Sequence, residues 1–227
     1  MRSNIKFWIV SFFIFSLLFP VHPENKTLSK EESARLISAL KRNMGHIQRL
    51  ACRFDQEKHL ELFQDVMTLR GWCFLQKPKQ IRWEYVAPIQ KIVLIQEDRM
   101  KVYKTGRDGE RQAVISSENE YLKIVYGYIM AFFQGEFVEE DDYFRLVVQE
   151  RDAHPVLLLE GKGKLRSFVT HIVMDVSPDR KEIRKVSIHE PDGNYTLLHF
   201  HTFVANPNFK RGIFEGHAIG EFSHAFD

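Results

Sequence analysis

Two histidines in one short segment, His199 and His201, have a type and spacing that could do chemistry. Histidines two positions apart on a strand project from one face, and such a pair can ligate zinc or copper. His171 and His189 lie in other predicted strands and could add ligands. The same pattern is typical of half-exposed strand residues with no special role, and we favour this interpretation. We therefore expect no metal site.

The chain has two cysteines, Cys52 and Cys73, which exclude a four-cysteine zinc site and a disulfide-stapled miniprotein. They lie in neighbouring predicted segments and would meet an oxidising compartment after export. The sequence leaves two states open. One is a disulfide that stabilises the fold by about 3 kcal/mol; the other is a pair of buried free thiols.

The usual motifs of enzymes are missing from the sequence. Gly161–Lys164 lacks the spacing of a phosphate-binding loop, and there is no Gly-x-Ser-x-Gly elbow and no His-Glu-x-x-His motif. The acidic run Glu139–Asp142 is typical of a solvated turn, and no two carboxylates are singled out for acid–base catalysis. We predict that the protein is not an enzyme and needs no cofactor.

The first residues are typical of a secretory signal peptide. Arg2 and Lys6 precede an apolar run over residues 7–19, which Pro20 closes. The run is shorter than the roughly 20 apolar residues that a spanning helix needs. We predict a signal peptide over residues 1–23, without a clear cleavage site, and export from the cytoplasm.

The composition favours a folded domain with a net charge near zero. Of the 227 residues, 44% are hydrophobic and 27% are charged, so the chain can bury a core. Without Arg2 and Lys6, the remaining chain carries 30 basic and 30 acidic side chains. Because nucleic-acid binding needs a basic surface, we exclude nucleic acid as the main partner.

Hydrophobic residues recur with two spacings, one typical of helices and one typical of strands, and these spacings predict the elements that position the residues named above. Capping boxes at Ser29–Glu32 and Ser117–Glu120 each predict the start of a helix. The second predicted helix runs through Tyr121–Phe133 and has large apolar residues around much of its circumference. Alternation predicts strands over residues 52–103 and 143–203. The pattern indicates one domain, residues 24–227, of the α+β class and mainly β.

One predicted strand has a large apolar face. Ile81, Trp83 and Tyr85 alternate with Arg82 and Glu84. An aromatic strand face of this kind is either ordinary core or the dry wall of a binding cavity. The residues alone favour ordinary core.

The order of several motifs resembles the outer-membrane lipoprotein carrier family (LolA). The matching motifs are Phe54–Lys58, Gly71, Lys77-Pro78, the strand Ile81–Tyr85 and, further along, Pro88 and Val102-Tyr103. The resemblance covers about residues 30–105 with good spacing, and the second half of the chain resembles the family more loosely.

The resemblance implies an unclosed antiparallel half-barrel with a helical lid over its concave face. The cavity between the two would hold acyl chains and would be lined by residues from the wall and the lid: Ile81, Trp83, Tyr85, Leu122, Val125, Ile129 and Phe133. In the family, an arginine before the proline of the first hairpin turn holds the lid closed. This position is Lys77 here, which keeps the charge without the planar fork of donors, so we expect a weaker latch.

The resemblance also implies the function: a non-enzymatic, monomeric periplasmic carrier of lipoproteins or related lipids toward the outer membrane. Its partners would be the acylated cargo, an inner-membrane ABC-type transporter that releases cargo to it, and an outer-membrane acceptor. An alternative on the same scaffold is a regulator that detects lipidated proteins. The sequence assigns no role to residues 206–227.

Overall fold

The protein is described from a computed structural model, which covers residues 25–62, 65–97, 99–105, 111–114 and 120–227. The predicted signal peptide and Ser117–Asn119 of the second capping box lie outside these residues. Within them, no helix has the length and apolar character needed to cross a membrane.

The described part of the chain contains twelve strands, two α-helices and two short 3-10 helices, Gly163–Ser167 and Phe222–Ala225. The helices are α1 (Lys30–Met44) and α2 (Glu120–Phe133). The strands are β1 (Lys26–Thr27), β2 (Arg49–His59), β3 (Met67–Gln76), β4 (Gln80–Ala87), β5 (Lys91–Gln96), β6 (Arg99–Thr105), β7 (Arg111–Val114), β8 (Phe144–Arg151), β9 (His154–Gly161), β10 (His171–Val176), β11 (Ile183–His189) and β12 (Tyr195–Ala205).

All twelve strands belong to one antiparallel sheet in the order β1-β8-β9-β10-β11-β12-β2-β3-β4-β5-β6-β7. The two halves of the chain therefore meet where β12 pairs with β2. The sheet is not closed, since the edge strands β1 and β7 each pair with one neighbour among the described residues. The predicted mainly β, unclosed half-barrel with a helical lid is confirmed. The short strands β1 and β7 were not predicted.

Helix α1 begins at the predicted capping box. The Ser29 hydroxyl accepts a hydrogen bond from the Glu32 backbone N–H, and the Glu32 carboxylate accepts one from the Ser29 N–H. These two bonds satisfy donors that the first turn leaves unpaired. Further along, Leu36, Leu40 and Met44 are buried in the core that the sheet shares. The helix thus covers part of one face of the sheet, here called the inner face.

Helix α2 lies over the same face and ends in a Schellman motif. The Glu136 N–H donates to the Ala131 carbonyl at 2.9 Å, and the Gly135 N–H donates to the Phe132 carbonyl at 3.1 Å. Gly135 has a φ of 73°, which favours glycine. A Cβ on Gly135 would lie 2.7 Å from the Gly45 nitrogen, so the ends of both helices pack tightly together.

Residues 206–227, the segment without a predicted role, pack on the opposite, outer face of the sheet. Their side chains form a second core with the outward residues of β2 and β3: Ala51, Phe74, Ile213, Phe222 and Ala225. Arg82 and Glu84, which alternate with the inner aromatic residues of β4, are buried beneath this segment. The central strands therefore have a hydrophobic layer on both faces.

Candidate functional site

The inner face of the central strands carries a packed group of aromatic rings. The Phe54 ring lies 4.3 Å from Trp83 and 5.5 Å from Tyr85, measured between ring centroids. Phe200 of β12 packs edge-on against Trp83 at 5.9 Å. Antiparallel register explains the arrangement, because Gly71 of β3 lies between Phe54 and Tyr85 and leaves room for both rings. We call Phe54, Trp83, Tyr85 and Phe200 the aromatic wall.

Helix α2 contacts the aromatic wall through two of its side chains. Tyr126 lies 5.2 Å from Trp83, and Phe133 lies 4.8 Å from Phe200. Of the seven cavity residues expected from the sequence, six are buried together in this core: Ile81, Trp83, Tyr85, Val125, Ile129 and Phe133. Leu122 is separate from them, with 45% of its surface exposed. Whether these residues bind lipid stays a prediction.

A cleft of about 530 Å³ opens between α2 and the turn that joins β3 to β4. Its volume is in the usual range of ligand pockets, roughly 300–1,000 Å³. Its apolar floor includes Ile81, Ile124 and Met130, and Gly127 leaves the helix surface open there. Its rim is charged and includes Lys77, Lys79, Glu97, Lys123 and Glu136. An apolar floor with a charged rim suits an amphipathic ligand.

The aromatic wall also contains polar atoms. The Tyr85 hydroxyl donates to the Gln56 side-chain oxygen at 3.0 Å and lies 3.4 Å from the Tyr126 hydroxyl. Burial raises the pKa of Tyr85 well above its ordinary value, with a smaller contribution from Tyr126, and burial also raises the pKa of Tyr126. Both side chains are therefore neutral phenols at physiological pH.

Lys77 contacts the end of α2. Its ammonium group lies 2.9 Å from the Glu136 carboxylate and 3.5 Å from the Gln134 carbonyl oxygen, to which it donates. The predicted latch residue and the C-terminal end of the helix are thus in contact. The Lys77 ammonium group makes one long hydrogen bond to a carbonyl oxygen, whereas an arginine at this position could donate from several nitrogens.

The two cysteines are directly opposite each other on β2 and β3, beneath the helices. Cys52 and Cys73 are fully buried free thiols whose sulfur atoms lie 3.2 Å apart. Burial raises the pKa of the Cys52 thiol well above its ordinary value, and the Cys73 thiol adds to the effect. The thiolate is the reactive form, so this shift keeps Cys52 unreactive, and full burial shields both sulfurs from reagents in the folded protein.

The four histidines considered as metal ligands do not come together. His171 and His189 stack on each other at 4.3 Å, whereas His199 lies further along β12, beside Lys185 and Asp55 in register. No group of three or more His, Cys, Asp or Glu side chains that could hold a metal ion occurs in the described residues. On the outer face of the sheet, His171 and His189 are partly exposed and His199 and His201 are exposed.

Most of the chain matches one known protein family. The model of the family described as outer membrane lipoprotein carrier protein LolA matches residues 45–216 of the chain. The chain belongs to this family. The match spans β2–β12, so it includes the aromatic wall, Lys77 and α2. The resemblance inferred from the sequence is confirmed.

The chain is also similar to several solved structures of low sequence identity. A DUF1329 family protein from Desulfovibrio piger has a TM-score of 0.48 at 10% identity, with 82% of this chain and 96% of that chain covered. A LolA superfamily protein from Nitrosomonas europaea has a TM-score of 0.43 at 10% identity, covering 81% and 97%. A chain of the Pseudomonas aeruginosa MucA/MucB complex has a TM-score of 0.40 at 8% identity, with 82% of this chain and 61% of that chain covered. No curated protein matches the sequence significantly.

Membership in the outer membrane lipoprotein carrier family indicates a coarse function. At the family level, the chain is a periplasmic protein of the lipoprotein-binding carrier type. Members of this family are carriers or binding proteins rather than enzymes. Lipoprotein or lipid cargo is the partner class that the family implies.

Proposed function

We propose that this protein is a non-enzymatic, monomeric periplasmic carrier that binds the acyl chains of lipoproteins or related lipids and transfers them toward the outer membrane. The observation that supports the proposal is the apolar cleft beside the aromatic wall, roofed by α2. In the closed arrangement described here, Tyr126 and Phe133 of α2 cover the wall. An acyl chain would take their place when α2 moves away.

The hydrophobic effect supplies enough free energy for this exchange. Each methylene group that leaves water contributes about 0.8 kcal/mol. A chain of about sixteen carbons therefore contributes on the order of 10 kcal/mol, which exceeds the loss of a few ring contacts between α2 and the wall. Because such a chain does not dissociate readily into water, the protein must receive its cargo from one apolar site and pass it to another. An inner-membrane ABC-type transporter and an outer-membrane acceptor would provide them.

The first test places a charge on the floor of the cleft. Ile81 is 6% exposed and lines the cleft, so Ile81→Glu would put a carboxylate against the bound hydrocarbon. We expect affinity for a synthetic dipalmitoyl lipopeptide to fall by about 100-fold, equivalent to roughly 2.7 kcal/mol. Isothermal titration calorimetry measures the affinity, and circular dichroism checks that the variant is folded.

The matched control is Ile89→Glu. Ile89 lies between β4 and β5, is 47% exposed and does not line the cleft. We expect unchanged affinity from this variant. A folded Ile81→Glu variant that binds the lipopeptide as tightly as Ile89→Glu would place lipid binding elsewhere. Wild-type protein that ignores the lipopeptide but retains a signalling protein during purification would instead favour the regulator.

The contact between Lys77 and the end of α2 gives a second prediction. Lys77→Met removes the ion pair to Glu136 and the bond to Gln134, which hold α2 closed. Because ligand binds when α2 has moved, a less stable closed state raises the apparent affinity. An exposed pair contributes about 0.2–1 kcal/mol, so we expect binding to be about 1.4- to 5-fold tighter. The same titration calorimetry measures it.

Lys181→Met is the control for the loss of a lysine. Lys181 lies in the turn between β10 and β11, next to Asp179, and both side chains are exposed. We expect no change in affinity from this variant. Weaker binding by Lys77→Met would show that Lys77 contacts the ligand rather than the closed helix.

A further inference from the structure

One buried polar atom in the aromatic wall has no partner. Among the described residues, the indole nitrogen of Trp83 is the single buried side-chain nitrogen or oxygen without a hydrogen bond. The Trp83 side chain is fully buried. Buried donors in folded proteins are nearly always paired, because an unmade hydrogen bond leaves the cost of desolvation without compensation. An unpaired donor on the face of the sheet that a ligand would use therefore points to an acceptor on that ligand.

The neighbouring polar groups do not satisfy this donor. Tyr85 donates to Gln56, and Tyr126 lies 3.4 Å from the Tyr85 oxygen. The indole N–H lies close enough to the Tyr85 side chain to oppose part of the rise in the pKa of Tyr85. The two groups nevertheless lack the geometry of a hydrogen bond. Three neutral hydrogen-bonding groups, one indole and one phenol from β4 and one phenol from α2, thus lie together between the strand and the helix.

The wall becomes more polar in one direction along β4. Ile81 lies at the cleft and has only carbon atoms in its side chain, Trp83 adds one N–H, and Tyr85 adds a hydroxyl that bonds to Gln56. These three residues share one face, with about 7 Å between successive side chains. A ligand that lies along this face would place hydrocarbon at Ile81 and a polar neutral group at Trp83.

We propose that Trp83, with Tyr85, binds the carbonyl oxygen at the head of an ester- or amide-linked acyl chain. This inference rests on the proposed carrier function and assigns the chemical class of its ligand. A carbonyl oxygen accepts the indole N–H and needs no donor in return. A bare hydrocarbon, or a chain joined through an ether, offers the indole N–H a poorer hydrogen-bond acceptor or none. The site therefore selects acyl chains over alkyl chains.

The test uses two lipids that differ in one carbonyl group: 1-palmitoylglycerol, an ester, and 1-hexadecylglycerol, an ether. We expect wild-type protein to bind the ester about 10-fold more tightly, the change expected from one good hydrogen bond in a buried site. In Trp83→Phe, which keeps an aromatic ring and loses the N–H, we expect this preference to disappear while the ether still binds. Equal wild-type affinities, or a preference that survives in Trp83→Phe, would overturn the inference.

A measurement on unaltered protein covers the case in which Trp83→Phe does not fold. In a nitrogen–proton correlation spectrum, the Trp83 indole proton should move downfield with the ester and much less with the ether. Trp72, on the outer face beside Phe222, supplies an indole signal that neither lipid should shift. Identical shifts of the Trp83 signal with both lipids would contradict the inference. If neither lipid binds, the proposed carrier function fails instead, so the two failures are distinguishable.

Discussion

Replacing Arg82 by methionine is expected to lower the free energy of unfolding by about 3–5 kcal/mol. Its guanidinium is fully buried and lies 2.7 Å from the Glu84 carboxylate. It also donates to backbone carbonyls of Ile213, Glu215 and His217 at 2.9, 2.6 and 2.6 Å. Arg82→Met leaves a buried carboxylate without its cation and three carbonyls without this donor. Urea unfolding followed by circular dichroism measures the loss.

The segment 206–227 should also come away from the outer face in this variant, because Arg82 bonds directly to its backbone. Limited proteolysis would then cut within the segment faster than in wild-type protein. Arg145→Met is the control, since Arg145 pairs with Glu160 at the exposed surface and should cost less than about 1 kcal/mol. Equal losses from the two variants would mean that the buried pair contributes no more than a surface pair.

A second large effect is expected at Gly71 in β3. A Cβ there would lie 2.1 Å from the Glu84 carbonyl oxygen and 2.5 Å from the Phe54 ring. The carbonyl belongs to the neighbouring strand, and the ring packs against Trp83, so neither has room to move. We expect Gly71→Ala to destabilise the protein by about 3 kcal/mol, at the upper end for an overpacked core. Urea unfolding measures this change as well.

Gly127→Ala provides a control with the opposite sign. A Cβ on Gly127 would meet nothing within 4 Å, and the residue is inside α2. Alanine in place of glycine at such a helical position stabilises by about 0.5–1 kcal/mol. A Gly71→Ala variant as stable as Gly127→Ala would show that β3 and β4 can separate at this point.

Much of the fold was predictable because its signals are local. The capping box at Ser29–Glu32 places helix α1, and the alternation of Ile81, Trp83 and Tyr85 places one face of β4. The burial of Arg82 and Glu84 was not predictable, since the backbone groups that cover this pair lie more than 130 residues away along the chain. Nothing near these charges in the sequence indicates that residues 206–227 would cover them.

Of the aromatic wall, Trp83 and Tyr85 were expected from the sequence, whereas Phe54 and Phe200 were missed, and the residues of α2 that cover the wall were only partly predicted. Helix α2 has large apolar residues on most sides, so its periodicity did not decide which of them face the wall. Leu122 was expected at the wall and is largely exposed, whereas Tyr126, one turn further along, contacts Trp83. The spacing of Tyr126 from Ile129 and Phe133 was the available signal for it. The unpaired indole nitrogen could emerge only from the packed structure.

The two hydrophobic layers around the central strands determine which part of the molecule can change shape. Bending β2, β3 and β4 would disturb the inner core and the outer layer of residues 206–227 together. Helix α2 packs in the inner core, none of its described side chains belongs to the outer layer, and its C-terminal end packs against Gly45. The sheet is therefore the stiff half of the molecule. Its stiffness would keep the spacing of the aromatic wall constant when α2 moves away as proposed, so cargo of different lengths would meet the same rigid surface.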